Sequence, residues 1–384
     1  MASFRTFISR PSQGKTSVAF HHGVVPGKGF TIVELLVSMA ILSLIMVLLA
    51  AMVSSVSTVW RNTTGKISAF AEARAGFEAM TRKLSQATIN SYWDYEYPND
   101  DTTKPPRTYV RQSELHLMAG QASTLIPSLS DATTHAIFFQ APLGYSRPAP
   151  GIRPLPSLLN ASGFFIQRSK DTDLPEFLKT LFAGEPAKKR TRYRLMEMWQ
   201  PTEQFRVYQP KRTELSLDIT KRTEWFTQPL ASSNSPARPL AENVIALVLW
   251  PRRAATDPRP PITPDYSFDT RAYLSLSPAT RDALPPENPL RLSRNQLPPV
   301  VQVTMVVLDG KSAAKLEELP DSAKTLLAPG ALFTSFNGKT SQADQEQVFQ
   351  EDLKKLTDFL TEYRLAYRVF TTAVTLRQAK WSEE

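Results

Sequence analysis

The most apolar stretch of the chain lies close to its amino terminus. From Leu35 to Val53 every residue is apolar except Ser38 and Ser43. At about 1.5 Å per residue, a helix of this length reaches roughly 28 Å, which is about the hydrocarbon thickness of a bilayer. Because the stretch contains neither proline nor glycine, it predicts a continuous transmembrane helix over residues 30–54.

Beyond Trp60 the pattern becomes amphipathic. Apolar residues recur at helical spacings with charged residues between them: Ile67, Phe70, Phe77, Met80 and Leu84. This periodicity predicts that residues 55–90 continue the helix and pack one face against the rest of the protein. Gly65 is expected to interrupt or bend this helix, at a cost of about 1 kcal/mol relative to alanine.

From about Ser91 the helical period is lost and short apolar runs predict strands. The predicted strands are Glu114–Met118, Ala136–Gln140, Gly163–Arg168, Tyr193–Trp199, Val244–Trp250, Val300–Leu308 and a final strand over 365–376. An amphipathic pattern predicts a helix over 341–363 that begins near Ser341, and Lys311–Leu319 is expected to form a shorter one. Residues 91–384 are therefore predicted to form an α+β domain with antiparallel sheets and with its helices on one side.

Composition changes this picture in two ways. The chain has 31 prolines against 14 glycines, and the concentration of prolines over 251–299 predicts long, stiff surface loops. The chain has no cysteine, which excludes disulfides, thiolate nucleophiles and cysteine-ligated metal sites. With 42% hydrophobic and 21% charged residues, it has the composition of a globular protein with a sizeable core.

The formal charge of +9 raises the question of nucleic-acid binding. Arg5, Arg10, Lys15 and Lys28 all precede Gly29, and no acidic residue does, so removing them leaves +5 for the remainder. A surplus this small, scattered among acids, favours a solvated surface, and nucleic acid is an unlikely partner. The basic start instead predicts that the amino terminus stays in the cytoplasm while the rest of the chain crosses the membrane.

The residues before the apolar helix carry the most specific signal. The stretch Gly27-Lys28-Gly29-Phe30-Thr31-Ile32-Val33-Glu34-Leu35-Leu36 resembles the class III leader of type IV pilins and type II secretion pseudopilins. This resemblance implies that residues 1–29 are a leader, that a prepilin peptidase cuts between Gly29 and Phe30, and that Phe30 becomes N-methylated. It also implies a pilin-like fold, in which the long amino-terminal helix packs on an antiparallel sheet. An ordinary signal peptide, cut near Ala50-Ala51 or Ser54-Ser55, is the alternative.

Glu34 has two interpretations. A carboxylate inside an apolar helix costs several kcal/mol, by an approximate estimate, and needs a partner. In pilin-like assembly that partner is the amine of Phe30 on a neighbouring subunit, so that Glu34 sets subunit register. Thr31 and Glu34 also have the spacing of a capping box, in which Glu34 accepts a hydrogen bond from the backbone amide of Thr31. Together with the Gly29-Phe30 junction and the basic leader, Glu34 favours assembly over simple capping.

A resemblance over most of the chain is closer to one particular family. Ser113–His116, Thr134–Tyr145, Arg192–Leu195, Leu297–Pro299 and Tyr367–Phe370 resemble the Verru_Chthon cassette protein C family, pseudopilin-like proteins of Verrucomicrobia. Among better-known proteins, the J-type minor pseudopilin of type II secretion is similar in leader and helix. Apart from the leader, these are packing motifs with little chemistry.

Few residues of the domain are candidates for binding or catalysis. His116 and His135 lie beside strand-like residues and would need to meet across a sheet to bind a metal, although packing is the commoner role of such histidines. Asn99-Asp100-Asp101 resembles part of a calcium loop, but a solvated turn is the better interpretation. No catalytic motif is present, so we expect no enzyme, cofactor or metal.

These observations predict a structural subunit. The expected protein is a minor pseudopilin or pilin, anchored by one helix in the inner membrane with its domain in the periplasm, and assembled into a pseudopilus or type IV pilus. Its expected partners are the prepilin peptidase, other pilins, the inner-membrane assembly platform and the lipid bilayer. The alternatives are a DNA-uptake minor pilin and a membrane-anchored periplasmic enzyme whose leader resemblance is accidental.

Overall fold

The computed structural model describes residues 29–98, 101–146, 157–170, 191–205, 219–286 and 288–381. These residues belong to two compact units, one that ends at Arg61 and one that begins at Asn62. The described part of the first unit is helical, and the second unit carries the sheets.

Helix α1 runs from Ile32 to Leu84 without a break, and Gly65 does not interrupt it. Its amino-terminal part is long and apolar enough to cross a membrane, since an 18-residue window has a mean hydropathy of 2.8 and none of it is buried. The large apolar side chains from Phe30 to Trp60 are all 47% or more exposed. A helix that exposes apolar side chains in this way matches the single-pass anchor that the sequence predicts.

The second unit contains the last part of α1, together with strands and shorter helices of four to 21 residues. The strands are β1 (Tyr92–Glu96), β2 (Thr108–Gln112), β3 (Met118–Gln121), β4 (Ala132–Pro142), β5 (Leu159–Lys170), β6 (Thr191–Gln200), β7 (Ala237–Glu242), β8 (Val244–Arg252), β9 (Phe268–Asp269), β10 (Val300–Leu308) and β11 (Tyr367–Thr375). The helices after α1 are α2 (Ala122–Leu125), α3 (Ile219–Ala231), α4 (Pro278–Ala283), α5 (Pro289–Leu292), α6 (Gly310–Glu318) and α7 (Gln342–Glu362).

The strands pair into three antiparallel sheets. The largest has the order β7-β6-β5-β4-β3-β9, a second has the order β11-β10-β8, and β1 pairs with β2 in a separate hairpin. Strand β4 contains an irregularity between Thr133 and Ala136, where its register against β5 shifts. Thr134 has a φ of 55° at this point, as expected of a bulge residue.

Successive residues of each strand point to opposite faces of a sheet, so the buried side chains of the two larger sheets fall into three apolar clusters. Phe77, Met80 and Leu84 of α1 pack with one face of both sheets, including Phe139 and Leu249. The other face of the three-stranded sheet packs on α7, and its buried side chains include Trp250, Val306, Phe349, Leu356 and Leu360. The other face of the six-stranded sheet packs on α3 through Phe138, Phe165, Trp225 and Phe226. The fold is therefore α+β, with a pilin-like long helix and antiparallel sheets.

Most of the predicted elements are confirmed. Strands β4, β5, β6, β8, β10 and β11 cover the predicted runs, and α6 and α7 are the two predicted helices. Ser341 caps α7 as expected, because its hydroxyl accepts a hydrogen bond from the backbone amide of Asp344 at 3.1 Å.

The predicted strand at Glu114–Met118 is wrong, since β3 begins only at Met118. The side-chain oxygen of Asn90 accepts hydrogen bonds from the amides of Glu114 (3.2 Å) and Leu115 (3.0 Å), which holds this segment in a turn. Leu115, His116 and Leu117 are all buried, so the run lacks the alternation of an edge strand.

The expectation that the helices lie on one side of the sheets is also wrong. Helices α3 and α7 cover different sheets, and α1 contributes to the cluster that both sheets share. The residues over 251–299 are not simply surface loops. They contain two short helices that begin with Pro278 and Pro289, and Tyr266 and Thr270, which precede both helices, are buried.

Candidate functional site

The residues of the predicted cleavage junction lie at the start of α1. Gly29 and Phe30 precede the helix and both are exposed, with Phe30 82% accessible. The leader before Gly29 lies outside the described residues. An exposed, non-helical junction presents its backbone to a peptidase, as cleavage between Gly29 and Phe30 requires.

Glu34 forms the capping box that the sequence allows. Its Oε2 accepts hydrogen bonds from the backbone amide of Thr31 at 2.9 Å and from the Thr31 hydroxyl at 3.1 Å. The hydroxyl oxygen of Thr31 in turn accepts a hydrogen bond from the amide of Glu34 at 3.2 Å. Capping satisfies two amides that the first turn of any helix leaves unpaired.

Capping uses only one oxygen of the Glu34 carboxylate. Within the described part of the chain, Oε1 has no hydrogen-bond partner, and Glu34 itself is exposed. An ionised carboxylate accepts up to about four hydrogen bonds. Glu34 can therefore keep its cap and still accept a cation from outside the chain, so capping and assembly are compatible.

Within the described residues, the hydroxyls that follow Glu34 on the helix bond to the backbone and not to its carboxylate. Ser38 and Ser43 donate their hydroxyls to backbone carbonyls of the preceding turn, those of Glu34 at 2.6 Å and Ala40 at 2.9 Å. Such back-bonding satisfies a hydroxyl on an apolar helix. Glu34 is the acidic residue in the first turn of α1.

His135 joins the two larger sheets through hydrogen bonds to the backbone of β8 and to the carbonyl of Phe333. The backbone amide of Leu249 in β8 donates to its Nδ1 at 2.9 Å, so Nε2 carries the hydrogen and donates to the carbonyl of Phe333 at 2.8 Å. Burial lowers the pKa of His135 to about 4, so it stays neutral at physiological pH. Its neighbour in the β4 bulge, Thr134, accepts from the amide of Leu247 at 3.1 Å. The bulge therefore satisfies two amides on the edge of β8.

His116 belongs to a separate buried cluster. Its Nε2 donates to Asp269 at 2.6 Å, and Trp225 Nε1 donates to its Nδ1 at 3.3 Å. Burial lowers the pKa of His116 despite the opposing effect of Asp269. Arg222 donates to the second oxygen of Asp269 at 2.7 Å. Burial alone would raise the pKa of Asp269, but His116 and Arg222 outweigh it and lower that pKa.

The structure does not bring the two histidines together as metal ligands. Their partners are different residues, and the described residues contain no group of three side chains that could hold a metal ion. Of the acidic loop, Asn99 and Asp100 lie outside the described residues. Asp101 accepts hydrogen bonds from the amide and hydroxyl of Thr103 at 3.0 and 2.6 Å, which is the geometry of a solvated turn.

One surface was missed from the sequence. The hairpin of β1 and β2 exposes Trp93, Tyr95 and Tyr109 on one face. The alternation of aromatic and acidic residues from Tyr92 to Tyr97 is the signal that predicts such a strand.

Comparison with known proteins identifies one feature. Residues 27–50 match the model of the prokaryotic N-terminal methylation motif, the leader of type IV pilin-like prepilins. The match includes the Gly29-Phe30 junction, Glu34 and the first part of α1. No curated protein matches the chain, and no solved structure does. The chain therefore carries a pilin-like substrate motif for prepilin peptidase, on a helix that fits a single-pass anchor.

Proposed function

We propose that this protein is a structural subunit of a type IV pilin-like filament. In this proposal, prepilin peptidase removes residues 1–29 and methylates Phe30, residues 30–54 hold the protein in the inner membrane, residues 55–90 continue into the domain, and the domain over 91–384 lies in the periplasm. The subunit then enters a filament with other pilins through the assembly platform.

The observation that carries the proposal is the open oxygen of Glu34 within the matched motif. Cleavage after Gly29 creates a cation four residues away, the amine of Phe30. Within its own helix Glu34 already caps Thr31, and its Oε1 remains available. In a hydrocarbon environment an ionised carboxylate costs several kcal/mol, by a rough estimate, unless it is paired. The Phe30 amine of an adjacent copy supplies that pairing, and repeating the pair along a filament fixes the register of its subunits.

The finer assignment in this proposal is to a minor pseudopilin of a secretion-like apparatus. It rests on the domain motifs that resemble the Verru_Chthon cassette protein C family and on the similarity of leader and helix to the J-type pseudopilin. The described part of the domain, from Asn62 onward, carries two larger sheets and three core clusters. Such a domain offers broad surfaces for partners, which suits the role of a minor subunit.

A matched pair of variants at the capping box tests the proposal. Glu34→Gln keeps a side chain that can accept from the amide of Thr31 but removes the charge, whereas Thr31→Val removes the two hydrogen bonds of the Thr31 hydroxyl and keeps the charge. Each variant is expressed with a prepilin peptidase and the partner pilins, and its incorporation into filaments is measured after the mass of its amino terminus confirms processing. We expect Glu34→Gln to be processed but not incorporated.

Thr31→Val serves as the control. We expect it to be processed and incorporated, with a helix start weakened by about 1 kcal/mol. If Glu34→Gln enters filaments as well as the parent does, the pairing role is wrong. If only Thr31→Val fails to enter filaments, assembly depends on the Thr31 hydroxyl at the helix start and not on the charge of Glu34.

A further inference from the structure

The outer edge of β11 is the longest open strand edge among the described residues. In the three-stranded sheet, β11 lies beside β10 only. All nine of its residues, Tyr367–Thr375, pair with β10 without a bulge or a shift of register. The strand contains neither proline nor glycine, and Arg368 is its one charged residue. A long, regular and nearly uncharged edge of this kind is a template for pairing with another strand.

Hydrogen bonds just outside both ends of β11 show which of its backbone groups point outward. The amide of Leu376 donates to the carbonyl of Pro299 at 3.3 Å, and the carbonyl of Ala366 accepts from the amide of Asp309 at 3.2 Å. Because bonding alternates along an antiparallel ladder, the even-numbered residues of β11 bond to β10. The amides and carbonyls of the odd-numbered residues point outward: Tyr367, Val369, Thr371, Ala373 and Thr375. Within the described residues, none of these outward groups has a hydrogen-bond partner.

The other edges of the two larger sheets are covered, short or interrupted. Across the same sheet, β4 covers the edge of β8, since Thr134 and His135 accept hydrogen bonds from the amides of Leu247 and Leu249. In the six-stranded sheet, β9 has two residues, and β7 contains Pro239 and shifts its register against β6. These are common ways in which proteins keep an edge from pairing. Among the described residues, β11 has none of these protections.

The sequence of β11 is suited to pairing with itself. An antiparallel pairing centred on Thr371 places this residue opposite its own copy, Val369 opposite Ala373, and Tyr367 opposite Thr375. All of these residues point their backbone groups outward, so each opposite pair exchanges two backbone hydrogen bonds. Threonine next to threonine is also a favourable side-chain pair across two strands. The whole length of β11 is then paired on both sides.

The single charge of β11 selects the direction of this pairing. In the antiparallel arrangement Arg368 lies opposite Val374 of the second copy, so the two arginines are six positions apart, roughly 20 Å at about 3.4 Å per residue. This separation exceeds the Debye length of about 8 Å at physiological ionic strength. A parallel pairing in register would place the two arginines on adjacent strands, about 4.8 Å apart, where like charges repel.

We infer that β11 of one copy pairs with β11 of a second copy, antiparallel and centred on Thr371. The occupant of an open edge must supply an extended backbone edge of its own, and a second copy brings one with a matching row of donors and acceptors. Because both copies use the same surface, the contact closes as a two-fold dimer with a continuous sheet of order β8-β10-β11-β11-β10-β8. The contact goes beyond the proposed function, since it requires neither cleavage after Gly29 nor the charge pair of Glu34.

Cysteine crosslinking tests the pairing, because the chain has no cysteine of its own. Thr371, Ala373 and Thr375 are all exposed, and their spacing places them on one face of the strand. Each is replaced by cysteine in the full chain, which is purified in detergent and treated with a mild oxidant. In the inferred dimer, Thr371→Cys places two thiols on opposite residues with Cα atoms about 5.5 Å apart, which a disulfide can span.

The other two single variants are matched controls on the same face. Two copies of Ala373→Cys hold their thiols about 14 Å apart along the strand, and two copies of Thr375→Cys about 27 Å apart. Neither distance can be bridged by a disulfide. We expect the crosslinked dimer of Thr371→Cys to be more abundant than that of either control by about fivefold or more.

Two further variants check the register and the role of the backbone. Val369→Cys combined with Ala373→Cys places thiols on opposite residues, so we expect the dimer from this pair and from neither single variant. Adding Ala373→Pro to Thr371→Cys removes an outward amide and no bond to β10, and the dimer should fall by about fivefold or more. The denaturation midpoint of each variant, followed by tryptophan fluorescence, identifies the variants that remain folded, and the cysteine series decides the result if the proline variant does not fold.

Three outcomes would overturn the inference. Equal yields from the three single cysteine variants would mean that the thiols meet by random collision. A dimer from Ala373→Cys or Thr375→Cys in place of Thr371→Cys would mean a different register or a different surface. A folded Thr371→Cys variant that stays monomeric would exclude a second copy as the occupant and leave the edge to a strand of another protein.

Discussion

The pH dependence of folding should reveal the connection that His135 makes between the sheets. His135 is buried and neutral in the folded protein, where its Nδ1 accepts from Leu249 and its Nε2 donates to Phe333. Protonation places a hydrogen on Nδ1 against the amide of Leu249. Burial of the imidazole lowers its pKa from 6.5 to about 4. In the unfolded chain His135 regains the ordinary pKa of 6.5.

The sign of the effect follows from these two values. Above pH 6.5 both states are neutral at this residue, and it makes no pH-dependent contribution. As the pH falls from 6.5 to 4, the unfolded state binds a proton that the folded state excludes, so the free energy of unfolding decreases. With a shift of this size, the loss is about 2 kcal/mol at pH 5 and about 3 kcal/mol at pH 4.

The variant His135→Gln isolates this contribution. Glutamine cannot titrate, but its amide can accept from Leu249 and donate to Phe333. Denaturant unfolding of the full chain in detergent, followed by tryptophan fluorescence between pH 7.5 and pH 4, measures the free energy of unfolding of both proteins. We expect the variant to lose about 3 kcal/mol less than the parent over this range, by the same relation. Parallel losses in the two proteins would refute the assignment of a buried neutral histidine.

Two substitutions and one binding measurement have expected outcomes. Gly163→Ala should lower the free energy of unfolding by about 1–3 kcal/mol in the same assay. The new Cβ would lie 2.2 Å from the ring of Phe138, which cannot move freely because it is stacked 3.9 Å from the ring of Phe226. An unchanged free energy of unfolding would contradict this packing. Asp269→Asn should cost about 3–5 kcal/mol, since it leaves Arg222 buried without its carboxylate, and a loss below 1 kcal/mol would contradict this. The full chain should show no steep salt dependence in DNA binding, whereas a log–log slope of several units would support the DNA-uptake alternative.

The parts of the fold that the sequence predicts are those whose pattern is regular. Strand β10 is a nearly continuous apolar run, its neighbour β11 largely alternates between more and less buried residues, and α7 has both an apolar stripe and a capping serine, Ser341. In these elements the local pattern and the tertiary packing favour the same structure, so periodicity alone identifies them.

The missed elements lack such a pattern. Helix α3 contains Pro229, and polar residues, Arg222 and Thr223, occupy buried positions on the face that carries Trp225 and Phe226. Strand β7 contains Pro239 and shifts its register against β6. These segments take their conformation from the sheet they pack on, and a single sequence does not show that sheet.

The capping of Thr31 by Glu34 was predicted from the sequence, whereas cleavage between Gly29 and Phe30 stays a prediction. The junction at Gly29 and Phe30 and the capping of Thr31 by Glu34 both depend on residues within six positions of each other, and local spacing is visible in a sequence. The roles of His116 and His135 depend on Asp269 and Leu249, which lie more than 100 residues away along the chain. No local signal could predict those contacts.

The central claim is that the mature protein begins at Phe30. Intact-protein mass spectrometry, with sequencing of the first residues, tests this on protein purified from membranes that contain a prepilin peptidase. The account predicts a chain that begins with N-methylated Phe30 and retains α1. A chain that keeps its basic leader, or one cut near Ala51 or Ser55 by an ordinary signal peptidase, would contradict it.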